Sequence, residues 1–420
     1  MEYITAGESH GPKLTAIVSG VPAGLEIDID RIDYDLARRQ SGYGRGARQM
    51  IERDKADFTG GVRFGFTTGA PVSIEVENRD WKNWTDRMAR FGGAPEDLKR
   101  ELQPRPGHAD LVGVLRNDTA DCRNILERSS ARETAARVAA CGVAKELLRA
   151  LGVQILSYVV SIGDVSVEDG AGCGSPTDAF GQGSFEPEEM EALHERIESS
   201  ETRCPDVQAP GLMKSAIDKA KSDGESLGGT FRVIASGLVP GLGSYASGTS
   251  RLTSRLAAAV CSIPAIKGVE FGMGFESARR FGSDVHDPIA IRQASGPSGD
   301  SASFTRISNN AGGLEGGMTT GLPLVVTAAM KPIPTLMTPL GTVRLDTLED
   351  AEASRERSDT CAVPAAAVVA EGEVAMVLAN AYLEAFGCTN RPELMSSLDA
   401  YRRRILDYAA EGCDSASWGR

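Results

Sequence analysis

The sequence predicts an α+β fold in which a β–α unit is duplicated and the two halves face each other within a single sheet–helix–sheet domain. Two observations lead to this prediction. Turn residues and short β-branched runs dominate the first hundred residues, and an Ala-rich helix pattern follows them. The chain also repeats three blocks in the same order, which is the trace that a duplicated structural unit leaves in a sequence.

The strand patterns come first along the chain. The run LTAIVSG at 14–20 is rich in β-branched residues and predicts a strand. Within 61–78, the apolar residues at 70, 72, 74 and 76 alternate with others. A period of two places one side-chain face of a strand on a core, so this segment is predicted to be a half-buried strand.

Helix signals begin near residue 130. Ser130 and Glu133 have the spacing of a capping box, and good helix formers continue to Leu151 before Gly152 stops the helix. Further helices are predicted at 187–200, 210–223 and 366–386. The intervening stretch 162–190 is rich in Gly, Ser and Asp and is predicted to be a surface excursion.

The repeat consists of three matched blocks. VSGVPAGL at 18–25 returns as ASGLVPGL at 235–242, and GGVRFGFTTGAPV at 60–72 returns as GGLEGGMTTGLPL at 312–324. Arg128-Ser129 ahead of one Ala-rich helix is matched by Arg357-Ser358 ahead of another. Chance similarity of Gly-rich turns explains any one block, but three blocks in order favour duplication. We therefore predict one domain over 1–388, with pseudo-repeats at about 1–200 and 205–388, and a C-terminal tail at 389–420.

Composition narrows the class of partner. The chain has 420 residues, of which 41% are hydrophobic and 25% charged, as in globular proteins. Lys and Arg total 45 against 58 Asp and Glu, giving a net charge of -13. This balance argues against nucleic acid or an acidic membrane surface as the main partner. An anionic ligand would need a local basic patch.

The cysteines and the apolar runs predict a cytoplasmic protein. The eight cysteines contain no CxxC pair, which favours free thiols in a reducing compartment over a disulfide framework or a metal site. Apolar stretches such as LAAAVCSIPAI from residue 256 are shorter than the roughly 18 residues that span a bilayer. The first residues also lack the pattern of a signal peptide.

The first candidate site is the loop from Gly7 to Gly11. It matches the G-x-S-x-G pattern of a serine-hydrolase nucleophile elbow. That elbow lies between a strand and a helix, whereas here Pro12 leads into a strand-like run. The alternative is a glycine-lined turn that presents His10 beside a ligand.

A second candidate is RPGHAD, where Asp110 lies two residues from His108 and is able to orient its ring or cap the next turn. A structural surface histidine remains the alternative.

His194 and His286 have more ordinary surroundings. His194 lacks a second histidine at the spacing of a zinc site, so a solvent-facing helix position is predicted and no metal site is expected.

Basic residues supply the candidate anion sites. Those between 38 and 55 are Arg38, Arg39, Arg45, Arg48, Arg53 and Lys55. Arg39 and Arg45 flank the glycine turn and are the preferred pair, because an arginine forms bidentate bonds with phosphate or carboxylate. Solvated helix ends remain the alternative for Arg38 and Arg48. Arg128, Ser129 and Ser130 at a helix N-terminus form another anion site, and the second half adds Lys331, Arg357 and Asp359.

Taken together, these residues indicate a binder of a multiply anionic small molecule with two histidines available for proton transfer. The strings that carry more information are GESHGPKL, RRQSGYGRG, RPGHAD, RSSARETAARVAA, SIPAIKGVEFG, NNAGG, KPIPT and RSDTCAVPA, in that order. With them, the chain resembles the chorismate synthase family from about residue 3 to 386. Segment 162–204 and the tail after Cys388 align less clearly.

The resemblance implies a β-α-β sandwich fold, a homotetramer and reduced FMN (FMNH2) as cofactor. It also implies a lyase that converts 5-enolpyruvylshikimate 3-phosphate to chorismate by anti-1,4-elimination of phosphate, the last step of the shikimate pathway. NADPH would serve as reductant in bifunctional members. Because no fused flavin reductase domain is visible, we expect an external flavin reductase.

Site roles follow from the resemblance, residue by residue. His10 would protonate the departing phosphate, His108 would protonate the reduced flavin, and Asp359 would assist removal of the ring proton. Arg39 and Arg45 match arginines for the substrate or NADP. The positions that match flavin contacts are Arg128, Ser129, Ser130, Pro264, Ala265, Gly316, Lys331, Pro332, Ile333, Pro334, Thr335 and Arg357. A catalytically silent flavin- or phospho-ligand-binding module is the alternative from another class.

The repeat adds an expectation about the location of the site. His10, Arg39, Arg45, His108 and Arg128 come from the first half, whereas Lys331, Arg357 and Asp359 come from the second. We therefore expect the site to lie between the repeats.

Overall fold

The computed structural model describes residues 1–46, 51–167, 187–296, 299–354, 359–387 and 389–411. Its helices are α1 (Ile29–Gln40), α2 (Asp110–Asn117), α3 (Arg123–Ser129), α4 (Thr134–Ala150), α5 (Pro187–Glu198), α6 (Ala209–Ser222), α7 (Leu252–Cys261), the short α8 (Gly282–Val285), α9 (Val363–Phe386) and α10 (Arg391–Glu411).

The strands are short, and most fall into two sheets. They are β1 (Glu2–Ala6), β2 (Lys13–Ser19), β3 (Asp57–Gly60), β4 (Val62–Arg63), β5 (Phe66–Thr67), β6 (Val72–Glu77), β7 (Gln154–Ile162), β8 (Val165–Ser166), β9 (Gly229–Ser236), β10 (Ile266–Phe271), β11 (Ile289–Gly296), β12 (Gly299–Arg306), β13 (Leu314–Glu315), β14 (Met318–Thr319), β15 (Leu324–Met330), β16 (Gly341–Val343) and β17 (Asp350–Glu352).

Two antiparallel sheets enclose a layer of helices. The first sheet has the order β1-β2-β6-β3, and the second has the order β10-β15-β9-β7-β8. Helix α4 packs on the first sheet, α9 packs on the second, and α1 and α7 flank this pair. The structure thus has the α+β class and the sheet–helix–sheet layering that the sequence predicts.

The two sheets differ in how their outer faces are covered. In β2, the buried residues Leu14, Ala16 and Val18 alternate with more exposed ones, as expected for a strand with one face on a core. The outer face of the second sheet is buried as well, because Met190, Leu193 and Ile197 of α5 pack on apolar residues of β7 and β9.

The strand pairs of the two halves share one register. Val18 lies opposite Val72 in the first sheet, and the matching residues Ala235 and Leu324 lie opposite each other in the second. A threonine fixes each following loop in the same way. The Thr67 hydroxyl donates to the Pro22 carbonyl and accepts from the Leu25 amide, and the Thr319 hydroxyl does the same with the Val239 carbonyl and the Leu242 amide. Because the two matched blocks pair in the same way in both sheets, the structure supports duplication. The limits of the domain and of its repeats stay a prediction.

Several predicted elements change in detail. The long helix begins at Thr134, because the Ser130 hydroxyl accepts from the Arg132 amide in a separate 3-10 turn and the Glu133 carboxylate binds Thr5 and Arg137 instead of closing a capping box. Gly152 ends it with a positive φ, as predicted. The predicted strand 61–78 divides into the β4–β5 hairpin and β6.

Beyond residue 388, much of the predicted tail forms the helix α10. The predicted surface excursion lies largely outside the described residues, as do Arg48, Arg357 and Ser358. The described cysteines, Cys122, Cys141, Cys204, Cys261 and Cys361, are free thiols, as predicted.

Helix α9 is the centre of the helical layer. By length and composition, α9 is apolar enough to cross a membrane, which the comparison of apolar stretches in the sequence did not reveal. However, 94% of its most apolar 18-residue segment is buried inside the protein. It approaches α4 closely, because a Cβ placed on Gly372 would lie 2.7 Å from the Cβ of Cys141. Glycine at this position therefore sets the distance between the two helices.

A buried ionic cluster holds α9 to its neighbours. Arg38 forms a bidentate pair with Glu371, at 2.7 and 2.8 Å, and Lys145 lies 2.9 Å from the same carboxylate. Burial raises the pKa of Glu371, but the charges of Arg38 and Lys145 outweigh it and hold the pKa well below its usual range. Arg38 is thus a core residue and not a solvated helix end.

Replacement of Glu371 by alanine is expected to destabilise the protein strongly. Glu371→Ala leaves Arg38 and Lys145 buried without their shared carboxylate, and breaking a buried ion pair in this way costs about 3–5 kcal/mol. The free energy of unfolding in urea measures this loss. As a control, Glu384→Ala removes an exposed partner of Arg255 and is expected to leave the urea midpoint nearly unchanged. Equal shifts for the two variants would contradict this account.

Candidate active site

A cavity of about 1020 Å³ lies where the two halves meet. Its lining from the first half includes His10, Arg39, Arg45, Arg105, His108, Arg128, Ser129, Ser130 and Arg132. Its lining from the second half includes Pro264, Ala265, Lys331, Ile333, Pro334, Thr335 and Asp359. One cavity is thus lined by residues of both halves, and its assignment as the functional site stays a prediction.

His10 stands on the turn between β1 and β2. Its ring Nδ1 lies 2.9 Å from Glu127 Oε1, and its backbone amide donates to Glu127 Oε2 at 2.7 Å. The ring also packs on Trp84, with the two centroids 4.0 Å apart. Since a strand and not a helix follows this loop, the serine-hydrolase elbow is not formed around Ser9.

His108 has a similar arrangement at the start of α2. Its Nδ1 lies 2.5 Å from Asp110 Oδ1, and the Arg105 guanidinium donates to the same carboxylate and lies beside the imidazole. Burial raises the pKa of Asp110, but the hydrogen bonds from His108 and Arg105 outweigh it and hold the pKa well below its usual range. Asp110 therefore orients the ring, which was one of the two predicted roles.

Asp359 and Arg45 meet across the two halves. The Arg45 guanidinium lies 2.6 Å from one Asp359 oxygen, and the Gly46 amide donates to the other at 2.6 Å. The backbone of Gly44 accepts from the Thr360 amide and thereby joins the glycine turn to this segment. The structure thus brings a predicted catalytic carboxylate into contact with a predicted ligand-binding arginine.

Arg39 and Arg132 share one buried carboxylate. Asp54 lies 2.6 Å from Arg39 Nη2 and from Arg132 Nη1. Burial lowers the pKa of Arg39 to about 10, and the neighbouring charges of Arg132 and Arg45 act in the same direction, although Asp54 opposes them. Arg132 also lies 3.8 Å from Glu52, so Asp54 and Glu52 together compensate these two guanidinium groups.

Arg128 and Lys331 also line the cavity, and Arg128 lies at the C-terminal end of α3 and not at the predicted helix N-terminus. Arg128 donates to the Thr5 carbonyl and is 44% exposed at its side chain. Lys331 donates its Nζ to the Gly107 carbonyl at 2.7 Å. Partial burial and the charge of Lys267 lower the pKa of Lys331. Among the described contacts, neither side chain forms a short bond to a carboxylate. Each can therefore bind an anion without first losing such a bond.

The lining as a whole is basic although the protein is acidic. Among the described residues, six arginines and one lysine line the cavity against four carboxylates, Glu52, Asp80, Glu133 and Asp359. The N-terminal residues of α4 and α9 also line it, and helix N-termini favour negative charge. Buried Nε atoms of Arg39 and Arg45 have no hydrogen-bond partner in the described structure. These donors are available to a ligand oxygen.

Some predicted site residues lie elsewhere. Gly316 is in the turn of the β13–β14 hairpin and is not among the described residues that line the cavity. Pro332 is likewise not among them, although its neighbours Lys331 and Ile333 are. Arg357 is outside the described residues. The assignments of these three residues to a flavin stay predictions.

The remaining histidines are outside the cavity. His194 is only half exposed because it packs near Tyr34, so the predicted solvent-facing position is partly wrong. His286 is exposed. Within the described ranges, no group of three or more potential metal ligands is found.

Sequence analysis missed four residues that shape the site: Arg105, Glu127, Arg132 and Trp84. Arg105 and Arg132 belong to quoted strings, so their positive charge was a usable signal. Glu127 is 117 positions from His10, and no local pattern connects the two.

Comparison with known proteins identifies similar chains over the full length. The family model described as chorismate synthase matches residues 1–383. The chorismate synthase of Trichlorobacter lovleyi is 52% identical over 408 residues, which cover 97% of this chain and 100% of the relative. The chorismate synthase of Bacillus subtilis is 48% identical over 415 residues, with the same coverage. A crystal structure of chorismate synthase matches with a TM-score of 0.73 and 39% identity, covering 97% of this chain and 98% of that one.

The backbone of the cavity wall is strained at one alanine. Ala265 has a φ of 69°, and its carbonyl accepts from the Lys331 amide. Ala265→Gly is expected to raise the free energy of unfolding by about 1 kcal/mol, because only glycine adopts this conformation without steric cost. Ala366→Gly, in a helical part of the same wall, is expected to lower it by about 1 kcal/mol. Urea denaturation measures both changes, and a loss of stability in both variants would argue against strain at Ala265.

Proposed function

The chain belongs to the chorismate synthase family, and from that membership we propose how its cavity performs the family's reaction. The protein is a carbon–oxygen lyase that converts 5-enolpyruvylshikimate 3-phosphate to chorismate and phosphate, the last step of the shikimate pathway. The observation that carries the proposal is one basic cavity in which two carboxylate-anchored histidines face residues of the other half.

The described residues fit a phosphorylated flavin and a phosphorylated substrate together. The cavity volume of about 1020 Å³ is at the upper end for small-molecule sites. The unpartnered Nε donors of Arg39 and Arg45 and the excess of cations suit oxyanions. When bound, reduced FMN would supply an electron-rich ring that assists loss of the substrate hydrogen with no net redox change.

We propose that the flavin lies along the wall that joins α4 to the second half. Arg128, Ser129 and Ser130 would hold it from the first half, with Pro264, Ala265 and the run Lys331–Thr335 opposite. The positive charge of Lys331 suits the phosphate of the cofactor. Gly316 and Arg357 remain proposed contacts on the basis of family resemblance.

Arg39 and Arg45 would bind the substrate or NADP. Arg105 and Arg132 add charge to the same lining. Departure of phosphate is slow unless its growing negative charge is neutralised, so a cluster of guanidinium groups stabilises this stage of the reaction. The cluster is preorganised by Asp54 and Asp110, which hold its members in place before any ligand arrives.

His10 would protonate the departing phosphate. Since Glu127 accepts at Nδ1, the Nε2 atom is left to hold the transferable proton. His108 would hold a proton beside the flavin, with Asp110 fixing its ring in the same way. Asp359 would assist removal of the ring proton, and Arg45 and the Gly46 amide keep its carboxylate in place.

Loss of either histidine is expected to lower turnover. His10→Ala and His108→Ala should each reduce kcat about 10²-fold or more, the usual contribution of a general acid. The measurement is chorismate formation under anaerobic conditions with chemically reduced FMN and the enolpyruvyl phosphate substrate. His286→Ala, at an exposed histidine, is the control and should retain activity. Wild-type rates in both test variants would overturn the proposed roles.

We also propose that the flavin is reduced by an external reductase and that NADPH is not oxidised by this chain alone. With NADPH and FMN in air-free buffer, the absorbance of oxidised flavin is expected to persist, and adding a flavin reductase should bleach it. Bleaching by the chain alone would show that it reduces its own flavin.

The assembly and location also remain proposals. The family resemblance supports a homotetramer, and the free thiols of the described cysteines support a reducing, cytoplasmic environment.

A further inference from the structure

Helix α3 carries a carboxylate that holds His10 at two points. Glu127 Oε2 accepts from the His10 backbone amide at 2.7 Å, and Glu127 Oε1 lies 2.9 Å from the ring Nδ1. The Ser9 amide donates to the Glu127 carbonyl at 3.1 Å. Both the loop and the imidazole are therefore attached to one residue of a helix, which is more rigid than the loop itself.

The surroundings make this contact stable. The Glu127 side chain is fully buried, whereas His10 keeps 11% of its side chain exposed toward the cavity. Arg123 donates to Glu127 Oε1 at 3.2 Å and lies over the Trp84 ring, with the guanidinium carbon 5.3 Å from the ring centroid. Trp84 in turn packs on the imidazole. The His10 ring thus lies between the Trp84 ring and the Glu127 carboxylate, and Arg123 contacts both of these groups.

The charge state of Glu127 determines what it does to the ring. Burial raises the pKa of Glu127, but the hydrogen bonds and charge of His10, together with Arg123, outweigh it and lower the pKa. An ionised carboxylate only accepts hydrogen bonds, so Nδ1 has to carry a proton. The neutral imidazole is then protonated on Nδ1, and its Nε2 is free to take and give the second proton.

We propose that Glu127 is a positioning residue that fixes the tautomer and orientation of His10. The proposal deepens the function assigned above and rests on the proposed role of His10 as proton donor to the phosphate. Asp110 likewise lies against Nδ1 of His108, although there the Arg105 guanidinium lies 3.4 Å from Nε2.

Several other charged groups lie near His10 or line the same cavity. Glu127 and Arg123 face it from α3, and Asp80 lines the same cavity from the segment that contains Trp84. Arg39, Arg45 and Arg132 line the cavity on the side of α1 and α4. Glu127 is the carboxylate that contacts the ring among the described residues, so its removal is expected to have the larger effect on His10.

The direct test is nuclear magnetic resonance of ¹⁵N-histidine in the resting protein. The chain has four histidines, so the His10 signals are assignable by their loss in His10→Asn. At high pH, His10 of the wild type is expected to carry its proton on Nδ1, the less common tautomer of free imidazole. A proton on Nε2 would overturn the proposal without any variant of Glu127.

Glu127→Gln tests the effect on rate. Because the ionised carboxylate that fixes the ring is lost, kcat is expected to fall about 10-fold or more while KM changes little.

Glu146→Gln is the matched control. Glu146 is a buried carboxylate on α4 that pairs with Arg31 and Arg149, away from His10. It should leave kcat and the His10 tautomer unchanged. An unchanged kcat in Glu127→Gln would overturn the proposal. If instead His10→Asn turned over normally while the tautomer was as expected, the proposed role of His10 in catalysis would fail and the contact with Glu127 would stand.

Discussion

The close packing of α4 against α9 is the constraint on which the rest of the structure depends. Because Gly372 has no Cβ, the helix backbones approach closely at Cys141, and the buried Glu371 binds Arg38 of α1 and Lys145 of α4 beside this contact. Helix α4 belongs to the first half and packs on the first sheet, and α9 belongs to the second half and packs on the second sheet. Residues at the N-terminal ends of both helices line the cavity, so neither half on its own forms it.

The same geometry explains how an acidic protein binds anions. Its net charge of -13 describes the whole chain, whereas the cavity lining is basic. Buried carboxylates compensate some of these cations without neutralising them all: Asp54 serves both Arg39 and Arg132, and Asp110 serves Arg105 and His108. The carboxylates fix the positions of the cations, and the remaining positive charge is available to phosphate.

Repeats and periodicity in the sequence predicted the duplication and the layer order, and the family resemblance named 14 of the described residues that line the cavity. The long-range contacts were out of the sequence's reach. The capping box at Ser130 failed because Glu133 found partners in β1 and one turn further along α4. The sequence left Arg38 open between an anion site and a solvated helix end, since nothing near it in sequence shows that Glu371 lies against it. Glu127 was missed for the same reason. Pairs of this kind depend on tertiary packing and not on spacing along the chain.

The central claim is that one active site is shared by the two halves of a duplicated fold. A crystal structure of the protein with bound FMN tests it most directly. The account predicts that the flavin contacts Ser130 or its neighbours in the first half and Lys331–Thr335 in the second. A flavin bound entirely by residues of one half would contradict it.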